Sequence, residues 1–253
     1  MVHRPFPVHT PTNPPPVVVR LARDADDVVA AQRLRYTVFN EDMGLGLAHA
    51  LETGLDQDRW DAHCEHLIAE RDGDVIGTYR LLPPDAAARL GHYADDEFDL
   101  TTLMSHDLRL LELGRSCVRP DARTGGVILQ LLRGIALRRR HHEADALIGC
   151  VSIPGRDLPL LRRAWALFAD RHLHPLFPLV TPRSPIDGLD DDAVRPDPAV
   201  LHDLPPLFKA YLRMGALVCG RPTWDPEFGT TDVFLMLTSS SMEAVATRLQ
   251  RAA

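Results

Sequence analysis

The architecture is indicated most clearly by one run of residues, Leu110-Leu111-Glu112-Leu113-Gly114-Arg115-Ser116-Cys117-Val118. The apolar residues of this run predict a central strand, which contains two ionisable residues, Glu112 and Arg115. Such a pair is costly inside an apolar strand unless the two charges neutralise each other or serve a function. Two interpretations are open: a buried Glu–Arg ion pair, or a carboxylate at the end of a central strand that acts as a general base or binds substrate.

A loop with two adjacent glycines follows this strand and leads into a helix. The loop is Arg119-Pro120-Asp121-Ala122-Arg123-Thr124-Gly125-Gly126, and apolar residues recur at helical spacing from Val127 to Leu137. Unpaired backbone N–H groups at the beginning of a helix favour an anion such as a phosphate. Neither G-K-[ST] nor G-x-G-x-x-G is present, which makes ATP and NAD poor candidates.

The segments on either side of this unit predict an α/β fold with a mixed sheet. A strand is predicted at 17–21, a helix at 25–39, and a hairpin around Asp72-Gly73. Alternating strands and helices with an early hairpin are typical of a mixed sheet. Residues 1–16 are rich in proline and predict a flexible arm, whereas 17–253 predict a single domain with a C-terminal extension from about 183.

Composition disfavours several classes of protein. The chain has 253 residues and a formal net charge of −7, so it is long enough for a core and lacks the basic balance of general nucleic-acid binders. No stretch approaches about 18 consecutive apolar residues, and Met1–Pro16 lacks the apolar centre of a signal peptide. Four cysteines in apolar segments are expected to be reduced thiols of a cytoplasmic protein.

An acidic loop precedes the predicted hairpin. It contains Asp56, Asp58 and Asp61. The spacing of its carboxylates and imidazoles matches no recognised ligand geometry, so no metal is expected. These carboxylates could attract a cationic substrate or anchor the side chains of Arg35 and Arg80, and both roles are open.

The order and spacing of several motifs along the chain are informative. The motifs are Leu34-Arg35-Tyr36-Thr37-Val38-Phe39, the acidic loop, Gly77-Thr78-Tyr79-Arg80-Leu81 and Glu112-Leu113-Gly114-Arg115-Ser116. This set resembles the autoinducer-synthase branch of the GNAT acyltransferases. A fuller set is most similar to the ornithine N-alpha-acyltransferases, and it adds Cys64-x-His66-Leu67, Glu97-Phe98-Asp99-Leu100, Gly149-Cys150-Val151-Ser152, Leu207-x-Lys209-x-Tyr211-Leu212-Arg213 and Phe228-x-Thr230-x-Asp232-Val233. The resemblance covers about residues 17–238 and implies a GNAT-like, mostly antiparallel central sheet flanked by helices.

The resemblance also implies an activity. It implies an N-acyltransferase that joins a (3-hydroxy)fatty acyl group from acyl carrier protein to the α-amine of an amino acid. L-Ornithine is the leading acceptor, and lyso-ornithine lipid is then the product. The implied catalytic residues are Glu112, as general base, and Arg115. The acceptor site implied by the resemblance comprises Arg35, Phe39, Asp56, Asp58, Asp61 and Arg80. Lys209, the single lysine of the chain, lies in a matched motif, and two interpretations of it are open: a further binding residue or a solvated lysine.

The resemblance places a donor-binding loop at Arg123, Thr124, Gly125 and Gly126. This loop stands where GNAT enzymes bind the pyrophosphate of coenzyme A, but its adjacent glycines depart from the usual Q/R-x-x-G-x-G/A pattern. Carrier-bound phosphopantetheine has one phosphodiester in place of a pyrophosphate, so the loop needs to bind fewer phosphate groups. We therefore expect acyl-phosphopantetheine of acyl carrier protein as the donor substrate, with no separate cofactor.

Other functions are open at this point. One is acyl-homoserine-lactone synthesis, although those enzymes lack the long C-terminal part seen here. Another is N-acylation of a different amino acid, and a third is a non-catalytic module that binds an acyl carrier or a membrane surface. The presence of both Glu112 and Arg115 favours an enzyme. It is expected in the cytoplasm, and peripheral contact with the inner face of the membrane is left open.

Overall fold

The computed structural model describes residues 15–45, 48–123 and 126–241. Most of the arm predicted at 1–16 lies outside these ranges, as do Thr124 and Gly125 of the predicted donor loop. The described residues form ten strands: β1 (Val18–Leu21), β2 (Glu65–Arg71), β3 (Asp74–Leu82), β4 (Phe98–Asp99), β5 (Leu110–Val118), β6 (Ala146–Pro154), β7 (Thr181–Pro182), β8 (Leu217–Val218), β9 (Thr223–Asp225) and β10 (Thr230–Thr238).

The same residues form seven α-helices: α1 (Ala25–Tyr36), α2 (Ala48–Leu51), α3 (Pro84–Leu90), α4 (Thr101–Met104), α5 (Val127–His141), α6 (Leu158–Arg171) and α7 (Pro206–Arg213). Helix α1 begins after Asp24, whose side chain accepts a hydrogen bond from the backbone N–H of Asp27 at 3.0 Å. It continues as a π-helical turn over Thr37–Asp42, which accounts for the longer helix predicted at 25–39. None of these helices combines the length and the apolar composition needed to cross a lipid bilayer.

Eight of the strands form one central sheet. Its order is β1-β2-β3-β5-β6-β10-β8, and β9 also pairs with β10. Neighbouring strands are antiparallel except β5 and β6, which are parallel. Strands β4 and β7 form a separate antiparallel pair. The predicted α/β class with a mixed, mostly antiparallel sheet is confirmed, and the C-terminal extension contributes strands β8 to β10.

The sheet divides between its two parallel strands. Strands β5 and β6 pair only where Leu110–Glu112 lie beside Ala146–Ile148. Beyond this point β5 stays paired with β3 as far as Val118, and β6 stays paired with β10 as far as Pro154. The facing edges of β5 and β6 therefore present backbone groups that the β5–β6 ladder does not use, close to the end of the paired segment.

Helices cover both faces of the sheet. On one face, α5, α6 and α7 pack against the largest apolar core, which includes Leu111 and Leu113 of β5. On the other face, Leu34 of α1 packs against Cys117. Because alternate residues of a strand point to opposite faces, Glu112 lies on the face opposite to Leu111 and Leu113. This face carries the ionisable groups of the candidate site.

Gly149 lies close to the backbone of β5, one residue beyond the segment in which β5 and β6 pair. A Cβ atom at this residue would lie 2.4 Å from the backbone carbonyl oxygen of Leu113. Such a contact with backbone can be relieved only if β5 and β6 move apart, since a carbonyl oxygen has no rotamer to change.

We expect Gly149→Ala to lower the free energy of unfolding by about 1–3 kcal/mol, because it overpacks this junction. Urea denaturation followed by circular dichroism measures the change. The control is Gly134→Ala in α5, where the nearest atom is the end of the flexible Leu67 side chain at 2.8 Å and alanine favours the helix. Equal stability of the two variants would show that the β5–β6 junction tolerates expansion.

Candidate active site

A cavity of about 330 Å³ opens on the face of the sheet that carries Glu112. Its lining combines two guanidinium groups with five carboxylates, and aromatic side chains complete it. The lining residues are Asp58, Trp60, Arg80, Tyr93, Asp96, Glu97, Arg115, Ser184, Thr223, Trp224, Asp225, Pro226, Glu227 and Phe228. A charged, concave surface of this kind suits a small ligand that itself carries charges of both signs.

Behind the cavity, Arg35 and two aspartates of the acidic loop form a buried group. Arg35 Nε lies 3.1 Å from Asp56 Oδ2, and Arg35 Nη2 donates to both carboxylate oxygens of Asp61 at 2.9 Å. Arg35 and Asp56 are both 0% exposed, and Asp61 is 6% exposed. These contacts correspond to the anchoring role left open for the aspartates. Arg35 does not line the cavity, although the resemblance places it in the acceptor site.

Arg80 and Arg115 connect this buried group to the cavity. Arg80 Nη1 lies 2.6 Å from Asp58 Oδ2 and 3.4 Å from Asp61 Oδ1. Arg115 contacts Asp56 at 3.4 Å and Asp58 at 3.5 Å. Burial acts to raise the pKa of Asp58, but Arg80 and Arg115 outweigh it and lower the pKa, so Asp58 is ionised.

A backbone irregularity in β5 turns Arg115 toward the cavity. Arg115 has φ +48°, in the left-handed region, and the β3–β5 register shifts between Thr78 and Arg80. The guanidinium lies 4.5 Å from the ring centroid of Phe228, which also packs edge-on against Phe39 at 6.0 Å. Phe39 therefore supports a wall of the cavity from behind.

Gly114 allows Tyr93 to lie over the sheet. A Cβ atom at Gly114 would lie 2.1 Å from the Tyr93 hydroxyl, so no other residue fits without displacing the ring. The Tyr93 ring also lies under Arg80, 5.1 Å from the guanidinium carbon. Burial raises the pKa of Tyr93 well above its ordinary value, so this hydroxyl is neutral.

Glu112 does not line the cavity. It is 0% exposed and accepts hydrogen bonds from the backbone N–H groups of Tyr93 at 3.1 Å and Ala94 at 2.9 Å. Its Oε2 also lies 3.0 Å from His92 Nδ1. The Glu112–Arg115 ion pair, one of the two interpretations of the strand, is not formed, because each residue contacts other partners. The contacts of Glu112 are those of a carboxylate that fixes the 92–94 segment.

One carboxyl group of the cavity wall, that of Glu97, was not among the predicted site residues. Glu97 lines the cavity, and behind it lie Asp232 of β10 and Cys150 of β6, with one ligand atom from each residue within 4.8 Å of the others. Such a group has the composition of a cation site, but burial raises the pKa of the Cys150 thiol well above its ordinary value. A thiol that stays protonated is a poor metal ligand.

Of the remaining predicted residues, those that the structure describes do not line the cavity. Lys209 lies on α7 and is absent from the cavity lining. Arg123 is exposed and pairs with Asp42 at 2.6 Å, and Gly126 precedes α5 with φ +71°. Thr124 and Gly125 lie outside the described residues, so the donor loop stays a prediction.

We expect Asp61→Asn to lower the free energy of unfolding by about 3 kcal/mol, because it removes one of the two buried carboxylates that compensate the charge of Arg35. The matched control is Asp85→Asn, which breaks an ion pair with Arg109. The side chain of Asp85 is 74% exposed and that of Arg109 is 50% exposed, so this substitution should change the free energy of unfolding little. Equilibrium urea denaturation compares the two. Equal effects would mean that water reaches Arg35 in the folded protein.

A second prediction concerns Glu112. We expect Glu112→Gln to lower the free energy of unfolding by about 1.5–3 kcal/mol, because the charged acceptor of two backbone N–H groups is lost. Urea denaturation and single-turnover assays are run on the same samples. Turnover reduced by about 10²–10⁴ at unchanged stability would instead assign Glu112 the role of general base.

Comparison with known proteins identifies the family of the chain. The acetyltransferase (GNAT) domain family matches residues 34–133. L-Ornithine N(alpha)-acyltransferase of Rhodobacter capsulatus is 40% identical over 235 residues, which is 88% of this chain and 90% of the relative. The protein of the same name from Rhizobium meliloti is 37% identical, over 86% of this chain and 78% of the relative.

Solved structures show the same fold at much lower identity. The AHL synthase LasI superposes with a TM-score of 0.52 at 13% identity, over 91% of this chain and 96% of LasI. FeeM, an N-acyl amino acid synthase from uncultured soil microbes, gives a TM-score of 0.52 at 12% identity, over 91% of this chain and 95% of FeeM. With 40% identity to a curated relative over most of its length, the chain is an acyltransferase and belongs to the L-ornithine N(alpha)-acyltransferase family.

Proposed function

We propose that the protein joins a 3-hydroxy fatty acyl group from acyl carrier protein to the α-amine of L-ornithine, and so makes lyso-ornithine lipid. The names of the curated relatives support ornithine as the acceptor. The single observation that carries the proposal is the charged cavity, with two guanidinium groups and five carboxylates in its lining. Ornithine carries one carboxylate and two ammonium groups, and so complements both kinds of lining residue.

Arg115 and Arg80 are the residues that we assign to binding the carboxylate of the acceptor amino acid. The Arg115 side chain is 19% exposed and that of Arg80 is 2% exposed, so Arg115 is the more accessible of the two. Its contacts with Asp58 and Phe228 orient the guanidinium without covering it. A planar guanidinium held in this way suits bidentate binding of a carboxylate.

The side-chain ammonium of the acceptor is assigned to the carboxylates contributed by β9 and the turn after it. Asp225 and Glu227 line the cavity, and the Asp225 carboxylate accepts hydrogen bonds from the N–H groups of Glu227 at 2.8 Å and Phe228 at 3.1 Å. These bonds fix the direction of Asp225 in the turn. Among the aspartates first assigned to this role, Asp58 lines the cavity, whereas Asp56 and Asp61 are buried behind it.

We assign the binding site of the acyl donor to the gap between β5 and β6. The backbone groups on their facing edges beyond Glu112 and Ile148 can hydrogen-bond the amides of phosphopantetheine. Transfer is direct, because burial keeps the thiols protonated; it raises the pKa of Cys150 well above its ordinary value. Burial raises the pKa of Cys64 and Cys117 to about 12, so neither is a thiolate at neutral pH.

The test supplies one 3-hydroxyacyl carrier protein with ornithine, lysine, glycine or norvaline and measures the amide product by mass spectrometry. We expect ornithine to give a kcat/KM at least about 100-fold above that of norvaline, because norvaline leaves a cavity carboxylate without a cation. Asp225→Asn should reduce this preference, since it removes one carboxylate assigned to the side-chain ammonium.

Other outcomes would contradict parts of the proposal. Equal use of glycine or norvaline would indicate a broader N-acyl amino acid synthase. Consumption of S-adenosylmethionine with release of an acyl-homoserine lactone would indicate the alternative synthase activity. A parallel series with acyl-coenzyme A tests the donor, and equal kcat/KM for the two donors would remove the requirement for the carrier protein.

A further inference from the structure

Amide formation requires a group that takes a proton from the acceptor. The α-ammonium of an amino acid has no lone pair, so it must lose a proton before the nitrogen can attack a thioester. Glu112 is enclosed by the 92–94 segment and accepts three hydrogen bonds there, away from the cavity. A different group on the cavity wall is therefore needed for this step.

Glu97 has the required position. It precedes β4 and lines the cavity, and the backbone carbonyl of Glu97 accepts hydrogen bonds from Arg183 N at 2.8 Å and the Thr223 hydroxyl at 3.4 Å. These two contacts fix the segment that presents the side chain. Within the part of the chain that the structure describes, Glu97 Oε2 is buried and has no hydrogen-bond partner. An oxygen in this state is available to a donor that enters the cavity.

Behind Glu97 lies a second carboxyl group. Asp232 is 4% exposed, and its Oδ1 accepts a hydrogen bond from the Thr230 hydroxyl at 2.8 Å. One carboxyl oxygen of Asp232 lies within 4.8 Å of a carboxyl oxygen of Glu97. The β6–β10 register places Asp232 opposite Ser152 and so fixes its position in the sheet. Cys150, two residues past the end of the β5–β6 pairing, completes the group.

The electrostatics of this pair suit a proton acceptor for an amine. Burial is the largest cause that raises the pKa of Glu97, and the charges of Asp232 on β10 and Asp225 on β9 raise it further, to about 9. A hydrogen bond from Cys150 of β6 acts in the opposite direction. Two adjacent carboxyl groups in such surroundings hold one proton between them at neutral pH. Their proton affinity is then close to that of an alkylamine.

We propose that Glu97, which shares a proton with Asp232, is the general base that takes the α-ammonium proton of the acceptor. This assignment rests on the proposed amide-forming reaction. An ammonium group that enters the cavity favours loss of the shared proton to solvent, because the positive charge stabilises the two carboxylates. The fully ionised pair can then accept one proton from the ammonium nitrogen.

The remaining steps follow from the thioester donor. The freed lone pair of the nitrogen attacks the carbonyl carbon, the new C–N bond forms and the C–S bond breaks. The nitrogen loses a second proton as the amide forms, and the departing thiolate of phosphopantetheine takes up one proton. The sum is one amide, one thiol and one proton released to solvent for each acyl group transferred, with no oxidant or reductant.

The test compares three variants in a single-turnover assay with ornithine and acyl carrier protein. We expect Glu97→Gln to lower the rate by about 10²–10⁴ with little change in KM for ornithine. Asp232→Asn removes the negative neighbour, so the rising limb of the rate against pH should move to lower pH than in the wild type. The control variant is Glu52→Gln, because Glu52 is exposed and distant in sequence from Glu97 and Asp232. Its rate and its pH dependence should equal those of the wild type.

The pH profile separates this assignment from a structural role. The acceptor amine titrates equally in all variants, so a shift of the limb in Asp232→Asn reports the carboxyl pair. A wild-type rate in Glu97→Gln, or an unmoved limb in a folded Asp232→Asn variant, would overturn the assignment. Absence of amide product from the wild-type protein would instead overturn the proposed function on which it rests.

Discussion

The cavity depends on the mutual neutralisation of three arginines and three aspartates that are largely removed from water. Ion pairs join Arg35, Arg80 and Arg115 to the acidic loop, and through it they connect α1, β3 and β5. Each buried charge is costly without its partner, so the loop has few alternative positions once the helix and strands are in place. This constraint fixes Asp58 and Arg115 at the cavity wall, where they remain partly accessible.

A second set of contacts builds the opposite part of the lining. Glu112 holds the backbone of Tyr93 and Ala94, and this segment leads directly to Glu97. Gly114 leaves space for the Tyr93 ring, and Tyr93 lies against Arg80. The polar residues of β5 therefore act on the cavity in different ways: Arg115 faces it, whereas Glu112 shapes the segment that faces it.

Much of the fold was predictable from the sequence. The apolar run at 110–118, the Asp72-Gly73 turn and the helical spacing after Gly126 correspond to β5, the β2–β3 hairpin and α5. Several charged residues of the site were predictable from the sequence, but the hydrogen bonds and ion pairs that these residues form were not. Glu97 and Asp232 belong to motifs that were recognised, yet no spacing indicates that residues 135 positions apart share a proton. The backbone partners of Glu112 could not be predicted either. Every residue except proline has a backbone N–H group, so the residue type does not show which one donates a hydrogen bond to Glu112.

The cationic side chains of the cavity lining are both arginines, and this has a chemical consequence for a protein that handles activated acyl groups. A thioester acylates any accessible neutral amine, so a lysine beside the donor would be a competing nucleophile whenever it lost its proton. A guanidinium stays protonated across the physiological pH range and is inert toward a thioester. Lys209, the single lysine of the chain, lies away from the cavity on α7. The site can therefore bind a carboxylate strongly without becoming a target of self-acylation.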